Sequence, residues 1–237
     1  MKIYETGTSP TSTASFHAEI YQDGQWSAIP VNLASEFRLT IDLDGSPLTC
    51  ITCSAQDTVD LCIGWLLSNG AVRSVRDILS VHLDRHSGLC RVTVNRTSLS
   101  EVTLPVIRKH APWKPEWATL LDYAMRENTS LYRKTNSFHS CILLRDGQIL
   151  CVREDIGRHN ALDKAIGWAV RNDIRLEQCL AFSSARLPSD LVEKAIRGGI
   201  TVLASKALPT AEATALAKAH GLTLLHYSER RGLLHFV

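Results

Sequence analysis

Residues 140–172 read SCILLRDGQILCVREDIGRHNALDKAIGWAVRN. Alternating apolar residues on either side of Asp146-Gly147 predict a β-hairpin. The apolar period then lengthens to three and four, which predicts a helix from Gly157 to Asn172. The same alternation of strand and helix continues to the C-terminus. CLAFS (179–183) precedes a helical pattern over 188–199, and ITVLAS (200–205) precedes one over 209–221. LTLLHYS (222–228) and GLLHFV (232–237) read as closing strands, and WATLLDYAMREN (117–128) reads as a helix before the hairpin. Strands alternating with helices of this length imply a partly parallel sheet covered by helices, with ligands gathered beyond the strand C-termini.

Towards the N-terminus the pattern is mainly antiparallel. FHAEIYQDGQWSAIPV (16–31) and EFRLTIDLDGSPLTCITC (36–53) each alternate around an Asp-Gly pair, and ILSVHLD (78–84) and CRVTVN (90–95) flank Ser87-Gly88. One helix interrupts them in SAQDTVDLCIGWLLSNG (54–70), where Val59, Cys62, Ile63, Leu66 and Leu67 share a face, Ser54 is the expected N-cap and Asn69-Gly70 the stop. RKHAPWKPEW (108–117), with two prolines, marks a domain join. The expected organisation is a small α+β domain over 1–110, its first fifteen residues a loose tail, followed by an α/β domain over 111–237.

The composition of the 237 residues, 45% apolar, 21% charged and with a formal charge of +2, is that of an ordinary globular protein, so charge implies no nucleic-acid partner. No apolar run approaches the length of about 18 residues that spans a membrane, and the opening residues lack a secretory signal. A cytoplasmic protein is expected, with no membrane partner and with its seven cysteines starting as free thiols.

The densest polar cluster, Arg153 to Asn160, lies between a predicted strand and its helix. Arg158 and His159 beside the first helical N–H groups would suit phosphate, although a capped, solvated helix start gives the same pattern. Ser184 and Arg186 after CLAFS, and Lys206 after ITVLAS, end the next strands at the same sheet edge. Arg158, Arg186 and Lys206 would then face one crevice fit for a diphosphate. His139 and Cys141, two apart on a strand, face the same way and read either as a thiol beside an imidazole or as packing residues. Cys50-Ile-Thr-Cys53 is the one CxxC, but strand residues three apart point to opposite faces, and no second pair completes a zinc site. Walker, Rossmann, G-x-S-x-G and H-E-x-x-H motifs are absent.

EDIGRHNALDKAIG (154–167) resembles the most characteristic segment of the FdhD family of formate dehydrogenase accessory proteins. SLYRKTNSFHSCIL (130–143), residues 183–225 and residues 53–72 are similar to the family as well, so the resemblance runs from about residue 34 to the end. It implies a C-terminal domain of cytidine-deaminase-like α/β fold, with a mixed sheet and flanking helices, behind a small α+β domain. It also implies a sulfurtransferase that takes sulfur from a cysteine desulfurase and passes it to the molybdenum cofactor in its guanine-dinucleotide form, before insertion into formate dehydrogenase. A guanine dinucleotide suits the crevice read above, so Asp155, Gly157, Arg158, His159, Asn160, Ser184, Arg186 and Lys206 are expected to bind the guanine nucleotide moiety, and a homodimer is compatible with the resemblance.

The family carries a Cys-x-x-Cys between its domains, whereas residues 94–117 of this chain contain no cysteine. The family's Thr-Gly-Gly-x-His-Ala-Ala is here Thr135-Asn136-Ser137-Phe138-His139-Ser140-Cys141. Cys141, with His139, is therefore the expected substitute nucleophile, and a cofactor-binding chaperone or regulator without sulfur transfer is the alternative. Deaminase chemistry needs a His-x-Glu and a Pro-Cys-x-x-Cys. Cys141 takes the place of the glutamate and Arg158-His159-Asn160 that of the cysteines, so no zinc is expected.

Overall fold

The Asp-Gly pairs form the hairpin turns that the sequence predicts. Asp23-Gly24, Asp44-Gly45 and Asp146-Gly147 all have both residues at positive φ, the conformation that matches the twist of two tightly joined strands. The computed structural model describes residues 1–95, 103–117, 120–121, 125, 129–228 and 230–236. The expected helix over 117–128 lies largely outside these residues.

The front domain is a five-stranded sheet of β1 (Lys2–Thr6), β4 (Phe37–Leu43), β5 (Ser46–Cys53), β6 (Ile78–Asp84) and β7 (Leu89–Val94), ordered β1-β6-β7-β4-β5. Between β1 and β4, β2 (Thr13–Gln22) and β3 (Gln25–Ala34) pair only with each other as a ribbon. Helix α1 (Thr58–Ser68) covers one sheet face, packing Leu61, Cys62, Ile63 and Leu66 against Leu39, Ile41, Val81 and Val92. The loose tail expected over residues 1–15 is corrected: Lys2–Thr6 is an edge strand parallel to β6. Ile3 packs on the core, and Arg85 holds Glu5 and Ser9. Polar composition hid a strand that sends only Ile3 to the core.

The rear domain is a six-stranded mixed sheet of β8 (His139–Arg145), β9 (Gln148–Asp155), β10 (Leu180–Ser183), β11 (Val202–Ser205), β12 (Thr223–Ser228) and β13 (Gly232–Phe236), ordered β13-β12-β11-β10-β8-β9. β10, β11 and β12 run parallel, as the strand and helix alternation implies. Short helix α2 (Ser130–Thr135) precedes β8 and packs on β3 of the ribbon. Helices α3 (Arg158–Arg171), α4 (Ser189–Arg197) and α5 (Ala211–His220) bury Leu162, Ile166, Leu191 and Ala213 against Leu143, Leu203 and Leu224. Residues 103–110 already belong to this layer, since Ile107 donates its N–H to the His220 carbonyl at 2.8 Å. The domain join expected at 110/111 therefore falls earlier.

The two domains meet where α1 crosses α3, and the crossing is backbone on backbone. A Cβ at Gly64 would stand 1.8 Å from the Asp163 carbonyl oxygen, and one at Gly167 would stand 1.9 Å from that of Asp60. Three carboxylates, two on α3 or at the end of β9 and one on α1, fasten this seam. Asp155, fully buried, pairs with Lys164 Nζ at 2.6 Å and accepts from the N–H and hydroxyl of Ser54 at 3.0 and 3.1 Å. Lys164 Nζ also donates to Ser54 Oγ at 2.7 Å and to the Glu154 carbonyl at 3.1 Å. Asp163 accepts from Lys194 at 2.8 Å and from Ser68 at 2.6 Å. Asp60 receives Arg153 at 3.1 Å and Arg171 at 2.5 Å, with Arg153 resting on the Trp168 ring. Ser54, expected as the N-cap of α1, is thus a bridge between domains, and Asp57 occupies the cap position.

Gly167→Ala is expected to lower stability by at least about 1–3 kcal/mol, because a backbone carbonyl cannot step aside. Lys164→Met, which leaves Asp155 buried and uncompensated, is expected to cost about 3–5 kcal/mol. Urea titrations of both variants against an exposed control such as Lys109→Ala measure the difference.

Candidate functional site

A cavity of about 620 Å³ opens at the C-terminal ends of β10 and β11, the edge at which mixed α/β sheets gather ligands. His139 begins β8 there because that strand runs antiparallel to β10, while Ser184 and Lys206 are the first residues beyond their strands. Across from them, α2 and the turn after it supply Tyr132, Arg133, Asn136 and Ser137. Asn136 closes α2 in the left-handed conformation, φ 53°, and turns the chain back towards the sheet.

The polar groups at the sheet edge are held by the strands. Ser184 and Ser140 exchange backbone and side-chain bonds: Ser184 Oγ accepts the Ser140 N–H at 3.0 Å, and the Ser184 N–H donates to the Ser140 carbonyl at 3.0 Å. The hydroxyl proton of Ser184 is left to point at His139 Nδ1, 3.5 Å away, or at a bound molecule. Partial burial lowers the pKa of His139, and the charge of Arg158 lowers it further against the opposing charge of Asp155, which favours the neutral ring. An imidazole, a hydroxyl and two cations around one cavity can bind an anionic molecule and exchange a proton with it.

The expected nucleotide-binding set divides. Ser184 and Lys206 line the cavity beside His139, the residue expected to partner Cys141, and Arg158 lies close enough to act on His139 and buries an unbonded Nε. His159 instead pairs with Asp190 at 3.0 Å, and Arg186 is exposed outside the cavity lining. Asp155, Gly157 and Asn160 are corrected: they belong to the domain seam. Asp155 Oδ1 accepts from Gly157 N and from Asn160 Nδ2, both at 2.9 Å, and Asn160 Nδ2 also reaches the Thr52 carbonyl at 2.9 Å. With its other oxygen on Ser54 and Lys164, the carboxylate has no acceptor site to spare for a ligand. Sequence reading missed the α2 wall, for which SLYRKTNS (130–137) offered no candidate ligand-binding residue.

Cys141 is also corrected as the nucleophile. It shares strand parity with His139 but lies 1% exposed among Leu143, Leu162 and Ala181, and burial drives its thiol well above the ordinary range. Burial likewise pushes Cys53 and Cys151 to about 12 and Cys179 to about 11. Cys50 alone of the seven cysteines is exposed. It lies on the outer face of β5, where Arg38 Nη2 at 3.6 Å and Thr40 Oγ1 at 3.7 Å on β4 donate to its sulfur and lower its pKa. Cys50 and Cys53 point to opposite faces, as their spacing predicts. Among the described residues no group of three or more His, Cys, Asp or Glu side chains is arranged to hold a metal ion, and no helix is long and apolar enough to cross a membrane.

Comparison with known proteins gives one answer. The profile of the FdhD/NarQ family matches residues 34–110 and 90–236. The sulfur carrier protein FdhD of Geobacillus kaustophilus is 28% identical over 232 residues, 87% of this chain and 88% of the relative. That of Streptomyces coelicolor is 29% identical over 245 residues, 87% of each. A crystal structure from Desulfotalea psychrophila, described as a candidate formate dehydrogenase accessory protein, superposes with a TM-score of 0.82 at 24% identity, covering 94% of this chain and 96% of the other. With its sequence matched from residue 34 almost to the end and its two-domain fold shared, the chain belongs to the FdhD/NarQ family.

Proposed function

We propose that this protein serves a formate dehydrogenase or related molybdoenzyme by holding the molybdenum cofactor, in its guanine-dinucleotide form, in the cavity at the edge of the rear sheet. In this reading it also passes sulfur to the cofactor from a cysteine desulfurase. The observation that carries the reading is the convergence of His139, Ser184 and Lys206, with Arg158 behind them, on a cavity whose volume falls within the range of about 300–1,000 Å³ typical of small-molecule sites. Lys206 and Arg158 suit the diphosphate, and the Ser184 hydroxyl and His139 ring suit neutral polar groups. The curated relatives named as sulfur carriers support the sulfur role.

A carrier thiol must be exposed and readily ionised, and Cys50 meets both conditions. Its thiolate would attack the outer sulfur of the desulfurase persulfide. One S–S bond forms as another breaks, the desulfurase cysteine leaves as a thiolate, and no outside oxidant is required. A cofactor-binding chaperone or regulator without sulfur transfer is the second reading. It is favoured by the lack of any cysteine in residues 94–117.

Calorimetric titration with GDP should show binding that Lys206→Ala and His139→Ala each weaken by about tenfold, the scale of one charged or buried hydrogen bond. Wild-type affinity in both variants would place the nucleotide elsewhere. Intact mass and peptide mapping after incubation with a cysteine desulfurase and cysteine should show a thiol-reversible sulfur on Cys50, lost in Cys50→Ser and retained in Cys141→Ser. A chain that binds GDP but gains no sulfur is a cofactor-binding chaperone.

A further inference from the structure

We infer that Glu154 is a positioning residue of the cavity, fastening one of its walls, helix α2, to the sheet. The inference rests on the proposed nucleotide site and adds the residue that gives it shape. Glu154 Oε1 accepts the N–H of Tyr132 at 2.9 Å, and Oε2 accepts that of Leu131 at 3.1 Å. These are two of the N–H groups that a helix leaves unbonded at its start. The helix has no side-chain cap of its own, because the Thr129 hydroxyl turns back to the Met125 carbonyl at 2.5 Å. Six residues are also too few to hold a helix by internal bonding alone. Its order must come from outside, and the Glu154 carboxylate supplies charge-assisted bonds at the end where a helix favours negative charge.

Glu154 can act as an anchor because its own backbone is fixed twice. It pairs with Ser140 across β8 and β9, and its carbonyl accepts Lys164 Nζ at 3.1 Å in the domain seam. Tyr132 and Arg133, which α2 presents to the cavity, therefore take their places from a carboxylate on the opposite side of the wall. Glu154 does not itself line the cavity, so its effect on a ligand runs through these residues.

The experiment compares wild type, Glu154→Ala and Glu154→Gln in GDP titration, thermal unfolding and amide hydrogen exchange of the nucleotide-free protein. Glu154→Ala is expected to weaken GDP about tenfold and to speed exchange at Leu131 and Tyr132, with the unfolding midpoint lowered by only a few degrees, about 2–4 °C. Glu154→Gln, which keeps one strong acceptor, should fall between. Unchanged protection at Leu131 and Tyr132 in Glu154→Ala would overturn the inference. So would wild-type GDP affinity in that variant, or a loss of affinity no greater than the fraction unfolded. If wild type itself fails to bind GDP, the nucleotide reading falls, and the exchange comparison alone still decides whether Glu154 fastens the wall.

Discussion

The ion pair between Lys164 and Asp155 is the interaction on which the arrangement of the two domains depends. Neither side chain has any exposure, and removing two charges from water costs several kcal/mol per ion unless every remaining bonding site is filled. Here they are filled. The ammonium spends its donors on Asp155, Ser54 and the Glu154 carbonyl, and the carboxylate accepts from Ser54, Gly157, Asn160 and Lys164. Because Ser54 comes from the front domain and the other groups from the rear one, the pair is satisfied in one docking geometry. A filled pair of this kind adds little over an apolar one, whereas a geometry that left either charge alone would be costly.

The same logic explains why residues 154–167 are so densely polar. Read along the chain they resemble a ligand-binding loop. In space most of them face the seam: Asp155, Asn160, Asp163 and Lys164 each bond to the front domain or to a partner that does, and Gly167 admits the α1 backbone. Arg158 lies near enough to His139 for its charge to act on that ring, and Glu154 reaches the helix that walls the cavity. The segment joins domain architecture to the cavity.

Local chemistry made much of the fold legible in advance. Asp-Gly pairs need positive φ and announced the hairpins, and the change of apolar period at Gly157 announced the parallel half of the sheet. Partners about a hundred residues away were not legible. Asp155 and Asn160 are the residue types a nucleotide site would use, and nothing in their spacing reveals that Ser54 and Thr52 already occupy them. Cys141 failed for a related reason: strand parity fixes which face a thiol shares with His139, but not how deeply a helix covers it. The cavity edge at Ser184 and Lys206 was legible because it follows from topology, with strand ends in a parallel sheet converging whatever their sequence.

The backbone contact between Gly64 and Gly167 has a kinetic consequence. Helices in direct main-chain contact, flanked by three paired carboxylates, have little room to slide past one another as sheared layers do. The distance between the outer face of β5 and the rear cavity is thereby set like the length of a ruler. If the thiol on one and a guest in the other exchange sulfur as proposed, the transfer is carried by motion of the guest or of a visiting protein rather than by breathing of the two domains.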